Sequence, residues 1–316
     1  MTKGFKIRLF VYGVLFVTAL IFLIPPFLKA TVLFRAYEYF KAEKYTEAYL
    51  RFRIMGHLGN MNAQFYLGYM LSKGLGVERN DTEAVNWYKK AAKKGDTEAQ
   101  YNLGFLFSRE DSSVFDYNES YRWYIMAADK GMADAQVRVG VLLMEGKCGE
   151  KNFVDAEGWL LKAAQQGSAW AYFYLGLLYL NDEYPNKDAA TALKWYKKAA
   201  EKNDTSAQVN VGYMYEYGLG TEPNFRDACV WYLKAAEKGD SYAVNALFNV
   251  FYKNSDFRSA YKWAYIVSRR FQGVEGSVAA TCLEDISSYL SEEEIREITR
   301  EAEDWISAHE IIFSED

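Results

Sequence analysis

The sequence predicts an all-α solenoid of repeated helix pairs that follows one N-terminal transmembrane helix. Three observations carry this. Trp87, Trp123, Trp159, Trp195 and Trp231 stand 36 residues apart, a fixed period of the size that marks a solenoid or array. Around the first of them, Ala84, Trp87, Tyr88, Ala91 and Ala92 fall at i, i+3, i+4, i+7 and i+8, one apolar stripe of an α-helix. Finally, Leu9 to Leu28 carries no charge over 20 residues, which at about 1.5 Å per residue just crosses a hydrocarbon core of roughly 30 Å.

Lys3, Lys6 and Arg8 precede this apolar run, a pattern shared by signal peptides and uncleaved anchors. Around Ala30 the −3 position is Leu28 rather than a small residue, so residues 1–28 read as a basic flank and an uncleaved signal anchor. Pro25-Pro26 ends the regular part of that helix near Ile24. With the basic flank in the cytoplasm, the expectation is a single-pass inner-membrane protein whose repeats lie in the periplasm.

Within a repeat, the tryptophan-bearing helix is the second of two. Asn80, Asp116, Asn152, Asp188 and Asn224 supply N-caps that accept from free backbone N–H groups. Glu83 and Glu119 follow at the capping-box spacing. Gly95, Gly131, Gly167 and Gly239, with Asn203 in the same slot, stop the helix with a left-handed residue. The first helix is marked by Ala63, Ala99, Ala135, Ala171 and Ala207, and by Gly68, Gly104, Gly140, Gly176 and Gly212 in mid-helix. A mid-helix glycine costs about 1 kcal/mol relative to alanine, so close approach of the paired helix, with its tryptophan filling the space, is the expected reason.

Segments such as AVNWYKKAAKKGDTEAQYNLGFLF and ALKWYKKAAEKNDTSAQVNVGYMYEYGLG resemble Sel1-like repeats, relatives of tetratricopeptide repeats, over roughly Asn60 to Gly239. The resemblance implies a right-handed superhelix of antiparallel helix pairs that acts as a binding scaffold with the first helices on its concave side. Two units depart from the pattern. Glu110-Asp111-Ser112-Ser113 replaces the loop that reads Gly74-Leu75-Gly76 and Gly218-Leu219-Gly220 elsewhere, and Asn181 to Pro185 does so in another unit; these loops are expected to be more irregular. Residues 29–58 read as a degenerate capping helix pair turning at Lys44-Tyr45-Thr46, residues 59–240 as the array, and residues 241–316 as a drifted last repeat with capping helices. In that repeat Phe248 takes the glycine position, and Ser291 with Glu294 forms a capping box on a helix whose acidic outer face, Glu292 to Glu303, is read as solvated.

A net charge of −5 and a pI near 5.4 lack the basic footprint of a nucleic-acid binder. Cys148, Cys229 and Cys282 encode no disulfide framework. His57 and His309 are the only histidines, which leaves no His-based triad or multi-His metal site. No catalytic, metal or cofactor residues are therefore assigned, and the chain reads as non-catalytic. The columns left free by packing lie on the first helix: Tyr66, Asn102, Arg138, Tyr174 and Asn210, then Tyr69, Phe105, Val141, Leu177 and Tyr213, then Lys73, Arg109, Glu145, Asn181 and Tyr217. Tyr66, Tyr69, Asn102, Phe105, Arg138, Tyr174, Asn210 and Tyr213 are the candidate partner-binding residues, since exposed apolar groups in a continuous patch mark interaction sites. The partner is read as another protein, and the resemblance admits an immunity protein that neutralises a secreted phospholipase-type effector. An adaptor for envelope or membrane-protein complexes, and a peptidoglycan or carbohydrate binder using the tyrosines, stand as alternatives.

Overall fold

The computed structural model describes residues 25–270 and 274–309. Among these it contains sixteen α-helices and no strand. The chain divides into two compact units, Met1–Trp159 and Leu160–Asp316. In the first, α1 (Pro26–Lys41) and α2 (Tyr45–His57) precede the pairs α3 (Met61–Lys73) with α4 (Asp81–Ala92) and α5 (Thr97–Ser108) with α6 (Tyr117–Asp129), then α7 (Ala133–Glu145). Helix α8 (Phe153–Gln165) contains the unit boundary. The second unit holds α9 (Ala169–Leu180) with α10 (Ala189–Glu201), α11 (Thr205–Tyr217) with α12 (Phe225–Ala236), and α13 (Ser241–Lys253) with α14 (Phe257–Arg270). It ends in α15 (Val274–Ser287) and α16 (Glu292–Ala308). Most consecutive helices pack together, first helices of successive pairs also touch, α3 with α5 and α11 with α13, and α16 packs back on α14.

Helix starts are set by side-chain caps in both members of a pair. The second helices use the expected Asn80, Asp116, Asn152, Asp188 and Asn224. The first helices use a column of their own: Asn60, Asp96, Ser168, Asp204 and Asp240 accept from the backbone N–H of Ala63, Ala99, Ala171, Ala207 and Ala243. Glu83 and Glu119 are differently employed from the capping-box expectation, since each accepts from the indole N–H of the tryptophan one turn on, at 3.2 Å. The turn between pairs is left-handed at Gly95, Gly131, Gly167, Gly239 and Asn203, as the slot requires. Its carbonyl is then used by the next repeat: Lys130 Nζ donates to the Gly95 carbonyl and Lys238 Nζ to the Asn203 carbonyl, both at 2.9 Å, and Lys94 likewise to Gly59. Buried Gln64, Gln100, Gln136 and Gln208 donate to main-chain carbonyls at the end of the preceding helix. Successive repeats are thus tied through backbone carbonyls that a helix end leaves without intrahelical donors.

The mid-helix glycines face the tyrosine after each tryptophan, which corrects the expectation that tryptophan fills this space. A Cβ at Gly68, Gly104, Gly176 or Gly212 would lie 2.6–2.7 Å from ring carbons of Tyr88, Tyr124, Tyr196 or Tyr232. Those four tyrosines are among the largest fully buried side chains, whereas four of the five tryptophans are only half-buried. Burying an aromatic side chain contributes about 1.5–3 kcal/mol, more than the roughly 1 kcal/mol that each glycine costs its helix. The loop glycines act by close approach too: a Cβ on Gly76 would sit 2.3 Å from the Tyr45 backbone, and one on Gly220 would sit 2.4 Å from the Ala189 backbone.

At the N-terminus, the expectation of a single-pass inner-membrane anchor with periplasmic repeats is corrected. No described helix is long and apolar enough to cross a membrane, and residues 9–24 of the apolar run lie outside the described residues. Pro26 opens α1 at the N1 position, where proline's fixed φ and missing N–H suit the first turn, so Phe27 and Leu28 belong to the cap pair. The turn of that pair falls at residues 42–44, just before Tyr45. At the other end, Ser291 and Glu294 form the expected capping box. The acidic face of α16 is not simply solvated: Arg258 pairs with Glu301 at 2.7 Å and Glu297 at 3.2 Å, and the Tyr265 hydroxyl donates to Glu303.

Gly104→Ala is predicted to destabilise the protein by about 1–3 kcal/mol through overpacking against Tyr124, although alanine is the better helix former. Chemical denaturation checks it; a rise in stability would show that the tyrosine ring can move aside.

Candidate partner-binding site

The first helices carry the candidate residues on the face that the paired second helices leave open. In the first unit, Tyr69 of α3 and Asn102 and Phe105 of α5 converge on one recess of about 250 Å³, with Lys73, Tyr88, Tyr101 and Arg109 on its walls. Phe105 is half-buried and has cations near its ring, the Lys73 ammonium at 5.7 Å and the Arg109 guanidinium at 6.0 Å from the centroid, within the range of cation–π attraction. Asn102 Nδ2 is held by the Glu98 carbonyl at 2.8 Å. Tyr66 lies to one side, half-buried in a cluster in which it stacks on Phe52 at 4.8 Å and meets Tyr37 and Phe40 edge-on. Arg138 lies near Tyr124, and its charge favours the phenolate there.

Sequence reasoning did not single out Tyr88, which forms part of the recess. Its hydroxyl is buried beside Ser72, and that of Tyr124 one repeat later is buried beside Ser108. Burial pushes both phenols well above their ordinary pKa, so each is a protonated donor. The available signal was the tyrosine that follows the tryptophan at the same period.

The replaced loop beside this recess is well organised rather than irregular. Arg109 forks onto Asp111 at 2.9 and 2.6 Å, and Arg79 bridges Asp111 and Asp81. Hydrogen bonds from Arg109 and Arg79 hold the Asp111 carboxyl well below the usual carboxylate range. Burial alone would raise Asp81, but hydrogen bonds from Arg79 and Ser112 outweigh it and lower its pKa.

In the second unit, Tyr174 is half-buried with its ring edge-on to Phe173, and Asn210 is half-buried on α11. Tyr213 is exposed and packs on Tyr217 at 4.6 Å. Next to Tyr217 is a second feature that sequence reading missed. Glu216 is buried, accepts from the Tyr232 hydroxyl at 3.0 Å and pairs with Lys253 at 2.8 Å. A larger recess of about 470 Å³ lies among Val230, Leu233, Phe251, Trp263 and Trp305, but its rim cations Arg258 and Lys262 are already paired with glutamates of α16.

The repeating unit now has defined limits: first helix, loop, second helix and left-handed turn. The Sel1 repeat matches the chain five times within these limits, at residues 62–96, 97–132, 133–168, 171–204 and 205–240, more than half its length. The chain belongs to the Sel1 repeat family. It is similar to a Sel1 repeat protein from Oxalobacter formigenes, with 33% identity over 70% of this chain and 88% of that one, at a TM-score of 0.61. A protective antigen of uropathogenic Escherichia coli with the SLR fold shares 27% identity, covering 84% of this chain and 65% of that one, at a TM-score of 0.45. The immunity protein Pa5087 from Pseudomonas aeruginosa shares 18% identity, covering 77% of this chain and 83% of that one, at a TM-score of 0.39, a likeness of fold alone. Sel1 repeats form a protein-interaction fold that is in general non-catalytic.

Two conservative substitutions separate the buried phenols of these Sel1 repeats. Tyr232→Phe is predicted to destabilise by about 1.5–3 kcal/mol, because the buried Glu216 carboxylate loses a hydrogen bond. Tyr88→Phe removes a hydroxyl whose neighbour is the neutral Ser72 hydroxyl and should cost less, under about 1.5 kcal/mol. Denaturant midpoints of the two variants, compared with the parent, give the answer; equal effects would contradict the assignment of partners.

Proposed function

We propose that this chain is a non-catalytic scaffold that docks a segment of a partner protein on the first helices of its Sel1 repeats, with the α3–α5 recess as the best-formed part of the docking face. The observation that carries this is the convergence of Tyr69, Asn102 and Phe105 on one preformed recess, while the Ala63, Leu67 and Gly68 columns of the same helices are buried in packing. A half-buried aromatic with cationic neighbours is the composition of an interaction hot spot. Arg138, Tyr174, Asn210 and Tyr213 extend the candidate set to the first helices of the other repeats.

A photo-crosslinking side chain placed at Asn102 should form a partner adduct in producing cells, and one at exposed Asn86 on α4 should not. Phe105→Ala should reduce the Asn102 adduct about tenfold or more, the size expected for a hot-spot truncation. Equal adducts from Asn102 and Asn86 would refute the docking face.

A narrower form of the proposal makes the partner a secreted phospholipase-type toxin and the chain its immunity protein. Support for it is the Sel1 resemblance. Producing the chain should protect susceptible cells from a toxin encoded beside it, with survival counted on induction; undiminished killing removes this form and leaves the scaffold reading in place.

A further inference from the structure

We propose that the apolar recess at the end of the array is filled by the chain's own C-terminal segment, with Ile311, Ile312 and Phe313 laid against α12, α13 and α14. This is independent of the docking face on α3–α5. The recess, about 470 Å³, is lined by buried Leu247 and Trp263, by half-buried Phe251 and Trp305, and by Val230 and Leu233 of α12, which are 47% and 37% exposed. Val230 is out of character for its register, which holds Asn86, Arg122, Gly158 and Lys194 in the four preceding repeats. An exposed apolar patch of this kind marks a surface that something covers. The cations of the recess are already spent: Arg258 meets Glu301 at 2.7 Å and Glu297 at 3.2 Å, and Lys262 lies 3.6 Å from Glu301. What the recess lacks is apolar contact.

The place where the chain leaves α16 identifies the occupant. Trp305 lines the recess, and so does His309, whose ring stacks on Trp305 at 4.4 Å. His309 has left helical geometry, with φ −116° and ψ 61°. From there the sequence continues as Glu310-Ile311-Ile312-Phe313-Ser314-Glu315-Asp316, so three consecutive large apolar residues fall within four positions of the rim, set between acidic ends that favour water. Four residues reach at most about 14 Å, which confines the triplet to the surface around the end of α16, the recess included. A tether this short raises the local concentration of the triplet to about the millimolar range, so that even a weak contact is held.

The test uses the full chain and its native thiols. Cys229 lines the recess, Cys148 belongs to the first unit, and both are free. A pulse of iodoacetamide, read at each cysteine by mass spectrometry, compares the parent with a variant combining Ile311→Ser, Ile312→Ser and Phe313→Ser. Labelling of Cys229 should become about tenfold faster in the variant, the change expected when a cover closed nine-tenths of the time is removed, while Cys148 keeps its rate. An unchanged rate at Cys229, or an equal rise at both thiols, overturns the proposal. A photo-crosslinking side chain placed at Phe313 should in addition form adducts within one chain to peptides of α12, α13 or α14. Adducts confined to other helices overturn the proposal, and so do adducts that join two chains, which would make the occupant a second copy.

Discussion

In four repeats a tyrosine ring of the second helix lies against the bare Cα of a mid-helix glycine in the first, where any Cβ would sit 2.6–2.7 Å from ring carbons. No alternative side chain fits that space at the same helix separation. The small residues around it follow from the same constraint: Ser120 and Ala84, one turn before the tyrosine, are fully buried, and Ser120 Oγ donates to the Gly104 carbonyl at 2.8 Å. A close helix–helix contact of this sort is a packing device in which bulk on one helix is matched by its absence on the other. The last pair shows the converse arrangement, with Phe248 at the glycine position and fully buried Ala264 directly after Trp263.

Seating a tyrosine rather than a phenylalanine at this contact brings a hydroxyl into the interior, and the repeats handle it differently. Tyr232 finds Glu216, which Lys253 neutralises in turn. Burial and the Glu216 carboxylate together raise the Tyr232 pKa far above its ordinary value, so the proton stays on the phenol. Tyr88 and Tyr124 lie instead beside the neutral hydroxyls of Ser72 and Ser108, so the same register is served by a carboxylate in one repeat and by serines in two others.

The periodicity made most of this fold legible, because each column of a repeat is sampled five times in one chain. N-caps of the second helices, left-handed turns and buried alanines could be assigned from spacing alone. What could not be assigned was which of two adjacent aromatics enters the core. Trp87 and Tyr88 differ by 100° around the helix, both within a broad apolar stripe, and only the position of the partner helix decides between them. For the binding face, the columns gave the correct helices and the residues Tyr69, Asn102 and Phe105 that the structure brings together. Tyr88 escaped because it sits on the other helix, and its side chain crosses the pair to reach the recess.

The tryptophans then require a role other than core filling, and their surroundings supply one. The indole N–H of Trp87 is bonded to Glu83 and its face is covered by Lys90 at 3.8 Å. Trp123 is bonded to Glu119, which also pairs with Arg122 at 2.8 Å. Trp195 and Trp231 carry Lys198 and Lys234 at 4.3 and 3.9 Å. On the second helices, therefore, aromatic faces, donors and charges are largely used up within the helix itself, and such groups have little left to offer a partner. On α3 and α5 the balance is different: among the described residues no carboxylate pairs with the Lys73 ammonium, which lies beside a half-buried Phe105. A binding face is defined by such unspent interactions, so the most regular residues of this chain, including its tryptophan ladder, mark the side on which recognition is least expected.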